Sequence, residues 1–302
     1  MKTILTIIFR LTVSCLLAGA VMGAAFVMTS KAKKHNEHVK EQKVMLNLLG
    51  YSEKNPAPAS LGMHALYRYI VTEGEALSMG YLVPLADEGR GGFAFVAIDL
   101  DGNFLARHPV TIAEEEAREA DAREQAILSV LGPGRTIRYA DQTIIVTDGE
   151  KRMAYLLPGK FPGFKTFIKV MMAVDPAYGI LGLEIMEHEE DPGLGGEIVQ
   201  DYFKNQFKGK AFDTIRKLDV VKTPLPGDYL QALEAGKRGG LGAEEVAKIQ
   251  EQYKDNDIYA LTGATISSRS VTSGVKGMVR KFSYRIAILD RVLAEQHIAV
   301  PF

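Results

Sequence analysis

A chain of 302 residues that is 47% hydrophobic can build one large domain or two small ones around a real core. A formal net charge of −1, with no dense basic run, gives none of the electrostatic footprint that nucleic acid binding needs. The lone cysteine, Cys15, excludes an intrachain disulfide and a cysteine-built metal site, and six histidines without HExxH-like spacing give no reason to expect a metal.

The first element is apolar. Leu11 to Met28 reads LTVSCLLAGAVMGAAFVM without a charge, and ILTIIF stands before it. Only Arg10 interrupts the run, and its long stem can snorkel to the headgroups. About 20 apolar residues suffice to span a bilayer, so residues 1–30 are expected to be an uncleaved transmembrane anchor. A signal peptide cut after AGA or MGA is the rival reading. Cys15 reads as a lipid-facing small residue, since the apolar run follows it where a lipidation site needs it before. Lys31, Lys33, Lys34, Lys40 and Lys43 lie beyond the helix, and Lys2 and Arg10 before it. That bias favours a cytoplasmic C-terminal side, but it is weak when a long domain follows.

Residues 30–49 are charged and then amphipathic, and read as a helix leaving the membrane. NPAPAS at 55–60 is a loop. Strands are expected at LYRYIVT, GYLVP and FAFVAIDL, the last ending at the hairpin turn Asp101-Gly102. Ile112–Leu131 is expected to be one helix, acidic in its first half, stopped by GPG at 132–134. VMLNLLG (44–50) resembles AILSVLG (126–132), IVTEGEALSMGYLVP resembles IVTDGEKRMAYLLP, and VAID resembles MAVD, in the same order. This suggests an internal duplication of helix, strand, strand, strand; two meanders that happen to look alike are the alternative.

Further strands are expected at TFIKVMMAV and GILGLEIMEH, then the loop EEDPGLGGE, the segment YFKNQFKGKAF, a Pro- and Gly-rich excursion and a short helix at Glu244–Tyr253. TGAT at 262–265 opens the last helix, whose Val271, Val275, Val279, Phe282, Ile286, Leu289 and Leu293 form one apolar stripe, so it packs on a sheet.

Two loops carry the chemistry. At TGATISS, Gly263 and Ala264 remove bulk, and Thr262, Thr265, Ser267 and Ser268 offer hydroxyls at a helix N-terminus, which suits a phosphate. Ordinary capping by Thr and Ser is the plainer reading. At Asp191-Pro-Gly-Leu-Gly-Gly196, proline fixes φ and the glycines permit close backbone approach; a tight turn is the plainer reading. His188 reads as a hydrogen-bonded surface residue. The acidic residues Glu187, Glu189, Glu190 and Asp191 read as a solvated loop face in preference to a cation site.

Together EHEEDPGLGGE and TGATISSR resemble the EHxETPGLG and SGATxTSR signatures of flavin-binding subunits in bacterial ion-pumping redox complexes: the G subunit of the Rnf complex and the C subunit of the sodium-pumping NADH:quinone oxidoreductase. The resemblance is strong over about 123–290 and weaker over 30–122. It implies FMN joined through its phosphate to Thr265, with Thr262, Gly263, Ala264 and Ser267 around the phosphate. It places Glu190, Pro192, Gly193, Leu194 and Gly195 beside the flavin ring. A separate flavin transferase is implied, because a threonine hydroxyl is a poor nucleophile and no His or Asp pair surrounds it in sequence. Three positions depart from the pattern: Tyr259 stands where the family has Asp, Thr262 where it has Ser, and Asp191 where it has Thr. Asp191 is expected to lower the flavin reduction potential by adding negative charge.

The expected fold is α+β: a transmembrane helix (1–30), a degenerate first repeat (31–122), and an FMN-binding domain (123–302) with mostly antiparallel sheet and packed helices. The expected function is an electron-transfer subunit of a redox-driven ion translocase, with no independent catalysis. An Rnf-type complex is favoured over the sodium-pumping NADH:quinone oxidoreductase, and the soluble part is expected on the extracytoplasmic side of the inner membrane. A flavin-free scaffold subunit is the competing class, and Tyr259 favours it.

Overall fold

The computed structural model describes residues 2–86 and 92–302. The chain divides into two compact units, one ending at Asn47 and the other running from Leu48 to Phe302.

Helix α1 (Lys2–Leu48) is continuous over 47 residues. Within it, the 27-residue segment Ile4–Ser30 is predominantly apolar, interrupted by the charged Arg10, and almost wholly exposed. At the helical rise it extends about 40 Å, more than the roughly 30 Å of a bilayer's hydrocarbon core. A helix exposed on all its apolar sides has no aqueous partner that satisfies it. The hydroxyls of Thr12, Thr29 and Ser30 fold back onto the carbonyls of Ile8, Ala25 and Val27, so these polar groups need no water.

The second unit is built on one antiparallel sheet. Its strands are β1 (Leu61–Glu73), β2 (Ala76–Pro84), β3 (Gly92–Ile98) and β4 (Phe104–Thr111), then β5 (Arg135–Asp148), β6 (Lys151–Pro162), β7 (Phe167–Val174) and β8 (Ile180–Glu187). The spatial order is β4-β3-β2-β1-β5-β6-β7-β8. Two four-stranded meanders therefore meet along β1 and β5, which pair from Leu61↔Asp148 to Glu73↔Arg135. The like strings IVTEGE and IVTDGE form the β1–β2 and β5–β6 hairpins. Each closes on a Gly-Glu loop whose glycine has positive φ, +60° at Gly74 and +58° at Gly149, as a two-residue hairpin loop requires.

Helices α2 (Glu114–Ala117) and α3 (Ala120–Leu131) connect the meanders. The single helix expected over Ile112–Leu131 is thus broken near Arg118. Buried Arg123 supplies the reason: its Nη1 donates to the carbonyls of Ala117 (2.7 Å) and Arg118 (3.3 Å), so these do not need to continue a helical ladder. The first strand also starts earlier than LYRYIVT, and β4 is a full strand after the Asp101-Gly102 turn.

Alternation along the strands makes two cores. Tyr67, Tyr69, Leu82, Phe93 and Phe95 pack under Ile127 and Leu131 of α3. On the other face, Leu66, Tyr81, Val96, Ile145, Tyr155 and the β7 residues Ile168, Val170 and Met172 pack with the last helix. β3 is buried on both faces throughout.

From β8 the chain passes through a 3₁₀ turn (Gly195–Val199), α4 (Asp201–Lys204), α5 (Phe212–Ile215), β9 (Val220–Val221), α6 (Gly227–Leu233), α7 (Ala235–Arg238), α8 (Ala243–Tyr253) and β10 (Ile258–Tyr259). β9 and β10 pair in parallel. The last helix, α9 (Thr265–Glu295), is 31 residues long, and every member of the expected stripe from Val271 to Leu293 is buried.

Two glycines of α9 make opposite predictions. A Cβ at Gly274 would sit 2.3 Å from Phe161 Cγ on β6, whereas one at Gly277 would meet nothing within 4 Å. Alanine gains about 1 kcal/mol of helix propensity at either site, but overpacking costs about 1–3 kcal/mol. Gly274→Ala is therefore expected to lower the thermal unfolding midpoint of the detergent-solubilised chain, and Gly277→Ala to leave it unchanged or raise it. Equal shifts in the two variants would contradict the close helix–sheet contact.

Candidate functional site

The two glycine-bearing loops, about 70 residues apart in sequence, meet in space. Gly263 has φ +74°, and a Cβ there would lie 3.0 Å from Leu194 Cδ2. The TGAT loop and the PGLG loop are therefore in contact through Gly263 and Leu194. Gly193, with φ +73°, turns the PGLG loop. The turn closes through N–H donation from Leu194 (3.2 Å) and Gly196 (2.8 Å) to the Asp191 carbonyl.

A third segment joins them through Glu190, which is only 4% exposed. Its Oε1 accepts the N–H groups of Phe164 (2.8 Å) and Lys165 (3.3 Å). Its Oε2 accepts the buried hydroxyl of Ser267 in the first turn of α9. A buried carboxylate is stable only when such donors replace water. Space around it is exhausted: a Cβ at Gly163 would lie 2.4 Å from Oε1, and one at Gly195 2.8 Å from Oε2. Glu190 is thus not part of a solvated acidic face. His188 shapes the same turn, with Nδ1 accepting the Glu190 N–H at 3.2 Å, and Asp191 pairs with Lys165 at 2.5 Å.

The hydroxyls at the start of α9 divide into two groups. Ser268 accepts the Leu261 N–H and donates to the Ala264 carbonyl, both at 3.0 Å. Ser267 is bound to Glu190, and Ser270 donates to the Pro162 carbonyl. Thr262 and Thr265 make no side-chain hydrogen bond to any described residue. Thr262 is exposed and Thr265 half-buried. The helix N-cap is Ala264, which provides no side-chain cap, so capping does not explain the hydroxyl cluster. Nor do the backbone N–H groups of Thr265, Ile266 and Ser267 find an acceptor among the described residues, which leaves the positive end of the helix open. Exposed Phe164, Leu194 and Ile266 add apolar surface from all three segments. The arrangement can seat a phosphate on the helix start and a planar apolar group against the loops.

Sequence reading missed the residues that hold this loop from behind. Gln206 grips the strand before TGAT: its Oε1 accepts the Tyr259 N–H at 2.8 Å and its Nε2 donates to the Tyr259 carbonyl at 3.3 Å. The grip is on backbone; the tyrosine side chain itself lies edge-on to Tyr229 and its hydroxyl accepts from Asn256 Nδ2 at 3.3 Å. Lys210 is 1% exposed and donates to the carbonyls of Lys254 (3.0 Å) and Asn256 (2.5 Å). Both come from NQFKGK, where long polar residues flank buried Phe207; that pattern is the available signal. Among the described residues, no group of three or more His, Cys, Asp or Glu side chains is placed to hold a metal ion.

Residues 163–280 match the FMN-binding domain family, a span that begins at the Glu190-contacting turn and includes both loops. The chain is 32% identical over 133 residues to the G subunit of the proton-translocating ferredoxin:NAD(+) oxidoreductase complex of Clostridium ljungdahlii, covering 44% of this chain and 55% of that one. It is 27% identical over 169 residues to the C subunit of the Na(+)-translocating NADH-quinone reductase of Yersinia pestis, covering 51% and 64%. The matched region thus spans between half and two thirds of these relatives. The crystal structure of Shewanella oneidensis NqrC aligns over 48% of this chain and 57% of its own, at 21% identity and a TM-score of 0.32.

Burial pulls the Lys210 ammonium down from 10.5 to about 8, against the opposing pull of Asp255 and Asp257. Between these values the unfolded chain binds a proton that the folded chain has lost, so stability rises with pH across this window. The native state is expected to gain up to about 3 kcal/mol from pH 7.5 to 10, and Lys210→Met to abolish the gain. A pH-independent difference between the two proteins in denaturant unfolding would rule this out.

Proposed function

We propose that this chain is a membrane-anchored flavoprotein subunit that carries FMN on Thr265 and relays electrons within a redox-driven ion-translocating complex. The observation that carries the reading is the division of hydroxyls at the start of α9. Ser267, Ser268 and Ser270 are engaged by other segments or by their own turn, while Thr262, Thr265 and the first N–H groups of α9 have no hydrogen-bond partner among the described residues. The match of residues 163–280 to the FMN-binding domain supports the identity of the ligand.

The residues fit the group. The N–H groups of the first turn of α9 would hold the phosphate, which keeps one negative charge as a diester, and Thr262 would hydrogen-bond it. Ser267 acts indirectly, since Glu190 holds its hydroxyl and with it the helix start. Gly263, Ala264, Pro192, Gly193, Leu194 and Gly195 would keep the backbones close to the ring. FMN supplies the one- and two-electron chemistry when bound, and the protein supplies binding, orientation and charge. Attachment is the work of a separate transferase, because Glu190, the carboxylate bonded to this helix start, is already engaged by three donors.

The partners are membrane subunits of an Rnf-type complex, with the sodium-pumping NADH:quinone oxidoreductase as the alternative host. Residues 1–30 anchor the chain, and the second unit lies on the extracytoplasmic side of the inner membrane. The flavin-free scaffold reading rests on Tyr259, which stands where the resembling signature has Asp. A denaturing gel of protein made in a host with a working transferase separates the two. A fluorescent band that is lost in Thr265→Ala and kept in Thr262→Val is expected; a dark band in the parent chain supports the scaffold.

The Lys165–Asp191 pair sets the local charge near the ring. Asp191→Thr leaves Lys165 uncompensated and is expected to raise the flavin reduction potential, since positive charge favours the reduced anion. Lys165→Met is expected to lower it, and the double variant to return toward the parent value. Redox titration of the three proteins decides; shifts of the same sign in both single variants would refute the charge argument.

A further inference from the structure

One bond behind the PGLG turn can exist only while a histidine is neutral. His188 is half-buried just past the end of β8. Its Nδ1 accepts the backbone N–H of Glu190 at 3.2 Å. Its ring edge lies alongside Gly196 at the far end of the turn, where a Cβ would be 3.5 Å from His188 Cε1 and 3.0 Å from the Asp191 carbonyl oxygen. The ring thus touches the turn at both ends.

A ring nitrogen that accepts a hydrogen bond carries no proton, so in this arrangement the imidazole is neutral with its hydrogen on Nε2. A proton added at Nδ1 would meet the Glu190 N–H hydrogen to hydrogen. The bond is then lost, and the N–H of a residue only 4% exposed loses its acceptor.

Glu190 passes the effect on. Its carboxylate holds the N–H groups of Phe164 and Lys165 at the β6–β7 turn and the Ser267 hydroxyl in the first turn of α9. Gly163 and Gly195 already crowd its oxygens, so no free space absorbs a shift of its backbone. The charged groups around the turn are Glu187, Glu189, Glu190 and Asp191 on the same loop, Lys165 and Lys169 from β6 and β7 and their turn, and Glu197 from the 3₁₀ turn. Lys165 pairs with Asp191, Lys169 with Glu187, and Glu197 accepts the Tyr202 hydroxyl. The first turn of α9 brings no acidic residue. Histidine is the side-chain type whose charge ordinarily changes between about pH 5 and 8.

We propose that His188 is a pH-sensitive positioning residue. Neutral, it holds Glu190 and so ties the PGLG turn to the β6–β7 turn and the start of α9. Protonated, it releases them. The switch belongs to the loop itself and stands apart from the flavin reading.

The test is backbone amide hydrogen exchange of the full chain in detergent, corrected for the intrinsic effect of pH. Protection of residues 188–196 is expected to fall about tenfold from about pH 8 to about pH 5 in the parent chain. In His188→Asn the carboxamide oxygen takes the place of Nδ1 as acceptor and does not titrate, so protection is expected to persist at both pH values. In His188→Leu it is expected to be low at both. Peptides from β1–β3 report whether each variant is folded; if His188→Leu is not, the comparison of parent and His188→Asn decides. Equal protection of the parent at both pH values, the same acid loss in His188→Asn as in the parent, or a His188→Asn loop unprotected throughout would each overturn the proposal.

Discussion

Burial of one stripe of α9 against the sheet is the contact from which the rest of the second unit is set out. Val271, Val275, Val279, Phe282, Ile286, Leu289 and Leu293 leave that helix one way to lie. Its register is then set by close approach: Gly274 faces the Phe161 ring, and Ser270 reaches the Pro162 carbonyl one turn earlier. One turn earlier still, Ser267 reaches Glu190. The position of Thr265 is thus a consequence of packing along the whole helix. A shift of one residue anywhere on the stripe would carry it away from the PGLG loop.

Around that helix start the protein uses buried polar groups as fasteners for backbone. Glu190 joins three segments, Gln206 holds both polar groups of Tyr259, and Lys210 collects two carbonyls from the loop that leads in. Each is buried at a desolvation cost that is tolerable only because every bond it makes replaces one to water. The result is a rigid frame whose free ends, the Thr262 and Thr265 hydroxyls and the first N–H groups of α9, face outward. Rigidity of this kind suits the cofactor attachment proposed for Thr265.

Much of this was legible in the sequence. The apolar run at Ile4–Ser30, the α9 stripe and the alternation of β1–β3 are local periodic signals, and each formed the element it announced. The two Gly-bearing loops announced themselves by composition. Other features were not legible because they depend on partners far along the chain. The break near Arg118 contains neither Pro nor Gly; it follows from Arg123 reaching back to two carbonyls while lying over the Tyr67 ring. By composition Glu190 looked like one member of a solvated acidic run; the resemblance singled it out, but its burial depends on donors from Phe164, Lys165 and Ser267, far along the chain.

By itself, then, the sequence determined the longest helices and several of the strands, where a span long enough for a membrane lies, and which loops carry hydroxyls and glycines. Those properties follow from side-chain period and backbone allowance within a few residues. The tertiary structure alone decided that the two meanders join along β1 and β5, that Leu194 touches Gly263, and which hydroxyls remain available. Ser267 is closed by a carboxylate 77 residues away and Ser270 by a carbonyl 108 residues away. Thr265 stays open because no such partner reaches it. A hydroxyl's availability is a property of everything packed around it, and only the folded chain brings those neighbours together.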